Sequence, residues 1–200
     1  FNVYGQNADV LGELYRNVAV NLENVGFQVP GYYSPISIRN TANDIPDKVI
    51  DILLEVCEEN RGVFQRYFQC KARQLNMTTM TRYHIYAPFQ LPSTTHTFPE
   101  TMDLVDSALQ RFSPLFASRA RQVVHERHLD WAARKGKRSG AFCATATPAI
   151  TPYVLMNFTG VFHDAFTLAH ELGHAVHNLL ASGKSILIQS APLPLAELAS

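Results

Sequence analysis

The sequence predicts a mainly α protein with a small antiparallel β element just ahead of one helix of unusual composition. Three observations predict it. Apolar residues recur at three- and four-residue steps over the first two thirds of the chain. Two short β-like runs, at 141–144 and 153–159, then interrupt that pattern, and helical spacing resumes near Asp164. With 46% apolar and 17% charged residues among 200 positions, the chain has material for a core and too little charge for disorder.

Taken in order, Val10, Leu11, Leu14, Tyr15, Val18 and Leu22 line one helical face, with Asn7 or Asp9 available as a cap. A Val-Pro-Gly turn at 29–31 ends that element. A second helix is expected from Asp44 and Pro46, where proline suits a first turn. It carries Val49, Ile52, Leu53, Val56, Cys57, Val63, Phe64, Tyr67 and Phe68 on one side, with Gly62 as a bend and the aromatics at 64–68 in a core. Residues 83–90 form an aromatic connector, and further helices are expected at 99–112 and 114–134. A flexible basic loop at 135–140 leads to the two β-like runs, and Gly160 punctuates the second of them. The stretch 194–200 reads as the opening turns of another helix. The expected division is a helical region at 1–134 and a second region at 135–200 that holds the helix of unusual composition. Lacking an initiator methionine and a helix stop signal at its end, the chain reads as an internal segment of a longer protein.

Several function classes are disfavoured at this level. Seventeen basic and seventeen acidic side chains cancel, so no global field favours nucleic acid or an anionic membrane surface. The apolar runs are far too short to cross a bilayer. Cys57, Cys70 and Cys143 are widely spaced and form no CxxC pair, which fits a reducing, cytoplasmic setting rather than a disulfide scaffold.

The helix that resumes near Asp164 contains His170-Glu-Leu-Gly-His174. Imidazoles at i and i+4 lie one turn apart on the same face and can reach one zinc ion. Glu171 is turned about 100° away around the helix axis, so it misses the metal and is placed to take a proton from an attacking water. A metzincin would need Gly at 177 and His at 180; His177 and Leu180 exclude that class. Beyond Glu171 the chain has a single acidic residue, Glu197, which becomes the expected third ligand. One zinc per chain and hydrolysis of a peptide bond follow as expectations.

These residues carry a resemblance. The run from His170 to His177, preceded by Thr167, Leu168 and Ala169, resembles the zinc helix of the oligoendopeptidase F group, relatives of thimet oligopeptidase. Residues 140–143, 152–160 and 193–200 are similar to its flanking segments in the same order. Residues 83–88 are similar to a family stretch that carries Asp at the position of His84. The resemblance implies a largely helical peptidase, longer than this chain, with zinc at the base of a deep channel. Its substrates would be short peptides. It makes His170, His174 and Glu197 ligands and Glu171 the base. It also implies that Gly140, Ala141, Phe142 and Cys143 run along a bound peptide as an edge strand. The family's oxyanion-stabilising His and Tyr belong to a segment after the third ligand.

Other residues have plainer roles. His177 and Asp164 are expected around the ligands rather than on the metal, and Asp164 could equally cap its helix. His125 and His128 read as a solvated helix face. Two competing readings stand beside the peptidase: a noncatalytic helical domain stapled by structural zinc, with Cys143 as the nearby fourth ligand, and a zinc hydrolase of non-peptide amides.

Overall fold

The computed structural model describes residues 2–28, 32, 34–87 and 95–200. The Val-Pro-Gly turn at 29–31 and the end of the aromatic connector from Pro88 onward lie outside the described residues. The chain divides into two compact units, Phe1–Phe89 and Gln90–Ser200. Residues 95–134 thus share a unit with the helix that carries His170 and His174.

The first unit is helical: α1 (Asn2–Gln6), α2 (Ala8–Gln28), α3 (Pro35–Ala42), α4 (Asp47–Glu59) and α5 (Arg61–Gln74). The α3 helix is absent from the sequence expectations, although its start is well marked. Ser34 is extended and accepts from the Ser37 amide, and Pro35 follows it. Asp47 at the start of α4 accepts from Ser37 Oγ at 2.6 Å and Asn40 Nδ2 at 2.8 Å, tying α3 to α4. The expected long helix breaks at Asn60 rather than bending at Gly62. Asn60 leaves helical geometry and its side-chain amide donates back to Val56 O at 2.8 Å. Phe64 and Tyr67, expected in a core, are 59% and 50% exposed. His84 closes a short 3-10 turn at Arg82–His84, its Nδ1 accepting from the Thr81 amide at 3.0 Å.

The second unit contains α6 (Phe98–Phe112), α7 (Pro114–His125), β1 (Leu129–Ala132), β2 (Phe142–Ala144), β3 (Tyr153–Phe158), α8 (His163–Leu180) and α9 (Leu193–Ala199). A capping box starts α6: Thr97 receives the Glu100 amide and Glu100 receives the Thr97 amide. Ser113 and Pro114 open α7. That helix was expected to run to 134 but stops at His125. Arg127 adopts a left-handed φ of 60°, and the chain turns into β1. His128 is therefore no solvated helix residue: its Nδ1 lies 2.8 Å from Thr151 O and its ring stacks on Tyr153.

The expected antiparallel pair is present as β2 and β3, with Phe142 opposite Leu155 and Cys143 opposite Val154. The addition of β1, parallel to β3, makes the sheet three-stranded and mixed, in the order β1-β3-β2. A register shift between Asp130 and Ala132 leaves carbonyls that Lys137 collects. Its ammonium donates to Asp130 O, Ala132 O and Met156 O at 2.7–3.0 Å and to Asp130 Oδ1 at 2.9 Å, with 1% of the side chain exposed. The basic segment expected as a flexible loop is thus anchored to the sheet.

Helices α6, α7 and α8 pack around this sheet. The core comprises Val105, Ala120, Val123, Val154, Met156, Ala165, Leu168, Leu172, Ala175 and Val176. Residues 168, 172, 175 and 176 follow helical spacing, so one face of α8 is buried and His170 and His174 fall on another. Each fully buried side chain of Leu or Met size contributes about 1.5–3 kcal/mol.

Candidate metal centre

Helix α8 sets two imidazoles one turn apart, their Nε2 atoms separated by 3.1 Å. Helix α9 brings Glu197 Oε2 to 3.4 Å from His170 Nε2 and 3.7 Å from His174 Nε2. Among the described residues these three form the group able to hold a metal, all donor atoms lying within 4.8 Å of one another. Zinc bonds of about 2.0–2.1 Å at tetrahedral angles place donors about 3.3–3.4 Å apart. The observed separations bracket that edge length, so the donor set fits a zinc-sized ion with a position open.

Glu171 gives a second sign of fit. The residue is 6% exposed, and its Oε2 is buried without a hydrogen-bond partner. Such an atom is costly in a core unless a ligand or substrate group meets it. Burial pushes its carboxyl pKa up; the nearby His170 opposes that shift and Glu197 adds to it. His174 is shifted down, by burial first and by His170 second, which favours the neutral imidazole that a metal requires.

These groups open into a cleft of about 510 Å³ whose wall includes Ala141, Phe142, Cys143, His177 and Asn178. Strand β2 is an edge of the sheet, bonded to β3 on one side. Ahead of it, Gly140 adopts φ 83°, a conformation L side chains rarely adopt. Asn157 Nδ2 donates to Gly140 O at 3.0 Å and Arg138 O at 2.8 Å, holding the approach to the edge. Burial pushes the Cys143 thiol up to about 12, and the Glu171 charge adds to the effect.

Of the residues expected around the ligands, His177 lines the cleft one turn beyond His174. Asp164 is buried, but its Oδ2 accepts from the amides of Thr159 and Gly160 at 2.7 and 2.8 Å and from Thr159 Oγ1 at 3.1 Å. Those bonds fix the turn from β3 into α8 rather than an imidazole.

Sequence reasoning missed Gly173. A Cβ placed there would lie 2.8 Å from both Cα and C of Ser200, so the bare position lets the end of α9 rest on α8. The signal was available in the motif, where glycine is a poor helix former at an interior position. Asn157 and Lys137 were also missed, because their partners are backbone carbonyls distant in sequence.

A helix offering two imidazoles and a buried carboxylate, met by a carboxylate from the next helix, is the arrangement expected of a metallopeptidase centre. The comparison with known proteins narrows the class: the chain belongs to peptidase family M3, whose family model matches residues 6–200. It is 27% identical over 182 residues to the chromosomal oligoendopeptidase F of Lactococcus lactis subsp. cremoris, covering 90% of this chain and 30% of that relative. It is 27% identical over 179 residues to oligopeptidase PepF of Bacillus subtilis, covering 89% and 26%. The chain therefore spans under a third of these relatives' length. The solved structure of PZ peptidase A with inhibitor 2 shares the fold, with a TM-score of 0.80 at 17% identity over 100% of this chain and 37% of that one. A crystal structure from Chlamydophila abortus aligns with a TM-score of 0.71 at 29% identity over 84% and 28%.

Proposed function

We propose that this chain carries the catalytic centre of a zinc-dependent oligoendopeptidase that cleaves bonds within short peptides in the cytoplasm. The observation that carries the reading is the convergence of His170, His174 and Glu197 beside the unpaired, buried Glu171 oxygen. One zinc ion bound by the three donors would supply Lewis acidity toward a carbonyl and toward water.

The chain's own residues do the rest. His170 and His174 act as neutral ligands, and Glu197 adds the charge that balances part of the cation. Glu171 accepts the proton of the water that attacks the scissile carbonyl and returns it to the leaving amine. Its buried position suits both halves of that transfer, since burial makes the carboxylate more avid for a proton. The segment from Gly140 and Ala141 into the outer edge of β2, at Phe142 and Cys143, pairs with the extended substrate backbone. His177 lines the cleft beside the ligands. The likeness to peptide-cleaving relatives supports the substrate class, and the edge strand supports an extended peptide rather than a compact amide.

Chelation of the metal is expected to abolish cleavage of an internally quenched peptide, with zinc readdition restoring it. Glu171→Gln is expected to keep zinc while turnover falls by about 10²–10⁴-fold. The protein as expressed, with metal content measured alongside, is the sample for both. Full turnover in metal-free protein, or near-normal turnover in the Gln variant, refutes the mechanism.

A further inference from the structure

We propose that Ser200 is a positioning residue for the metal centre, its hydroxyl selecting the His170 tautomer and joining that ligand to the backbone of Glu197. The inference rests on the zinc reading of the site. Ser200 Oγ lies 3.0 Å from His170 Nδ1 and donates to Glu197 O at 2.9 Å. A serine hydroxyl has one proton. With that proton directed to Glu197 O, the oxygen meets the imidazole as an acceptor, so Nδ1 carries hydrogen.

That assignment leaves the Nε2 lone pair of His170 free. Nε2 is the atom facing His174 Nε2 and Glu197 Oε2. The relay His170 Nδ1–H to Ser200 Oγ–H to Glu197 O therefore orients one ligand ring while bonding to the main chain of a second ligand. A hydrogen bond to the remote nitrogen of a ligating histidine fixes both ring orientation and tautomer. The close approach over Gly173 makes the relay possible, because a side chain there would push the Ser200 backbone away.

Zinc affinity is the measurement, by competition with a chelator of known strength, for the parent protein and for Ser200→Ala, Ser200→Thr and His170→Ala. Ser200→Ala is expected to weaken zinc by about 10–100-fold, and Ser200→Thr, which keeps a hydroxyl, to hold it near the parent value. The metal-free protein supplies a second readout. Nitrogen-15 shifts of His170 should report the Nδ1–H tautomer in the parent and Thr forms, and a mixture of tautomers in the Ala form. Parent-like zinc affinity in Ser200→Ala, with His170→Ala having lost the metal, overturns the proposal. Failure of Ser200→Thr to recover what Ser200→Ala loses overturns it as well. Parent-like affinity in His170→Ala instead removes the zinc reading beneath it.

Discussion

The two compact units place their apolar residues differently. From 95 to 200, helices and sheet enclose a core in which Val123, Leu168, Leu172, Ala175 and Val176 are 0–1% exposed along with Val154 and Met156. In the first unit, the buried described residues are Ser37, Asn40 and Lys71, all polar. The apolar faces of α2, α4 and α5 lie largely open, with Leu14 at 57% and Leu53 at 55% exposed. Helices there rest on local signals such as the Ser34 cap and the Asn60 break. Helix α8 rests on burial, and two of the three candidate metal donors, His170 and His174, sit on it. Rigid packing and ligand geometry go together because a side chain can be aimed accurately only from a backbone that does not shift.

The same substitution made in both units tests this contrast most strongly. Leu168→Ala removes a fully buried side chain and is expected to cost about 2–5 kcal/mol. Leu53→Ala, on the open apolar face of α4, is expected within about 0.5 kcal/mol of the parent. Chemical denaturation of the two variants decides it; equal losses would mean that the first unit's helices are more enclosed than their exposure shows.

The cysteines give a second, smaller contrast. Cys57 and Cys70 are exposed, while Cys143 is half-buried and its thiol is pushed up to about 12. Alkylation at neutral pH, followed by peptide mass spectrometry, should modify the first two well before Cys143. Simultaneous labelling of all three would contradict the enclosed environment assigned to β2.

Smallest is the acid dependence of one carboxylate in each unit. Asp130 is held well below its ordinary value of 3.8 by hydrogen bonds from Arg134 and Lys137 and by their charges; Asp47 is lowered by Ser37 and Asn40. Because the folded values are depressed, both carboxylates stabilise the fold above the ordinary value. That contribution fades as pH falls from about 5 through the lowered values. Asp130→Asn should flatten the acid limb of the unfolding midpoint more than Asp47→Asn, since cations rather than neutral donors hold Asp130. An unchanged acid limb in Asp130→Asn would remove the Lys137 anchor from the account of the sheet.

Legibility in the sequence followed the range of the interactions involved. Helices α6 and α8 could be read because their apolar spacing repeats within a few residues, and Pro99 marks the first turn of α6. The grouping of His170, His174 and Glu197 was readable because two donors share a turn and acidic residues downstream are so few. Strand β1 was not, since four residues carry too little periodicity and the left-handed turn at Arg127 involves neither glycine nor proline. Lys137 looked like a solvated cation because its four acceptors come from β1 and β3. The hydroxyl of Ser200 could not be read either. Its contact with His170 exists only once α9 has folded back across Gly173.

That contact has a consequence for how the His-Glu-x-x-His pattern is understood. Written with two wildcards, the motif suggests that its middle positions are free to vary. Here Leu172 fills the core at 0% exposed, and Gly173 has no room for a methyl group because Ser200 Cα would stand 2.8 Å from it. Each of the five letters is therefore constrained, two of them by neighbours that a pattern search never inspects. In this architecture the information in the motif is nearer five residues than three, and a chance match carrying a side chain at position 173 could not be threaded onto α8 and α9 as they stand.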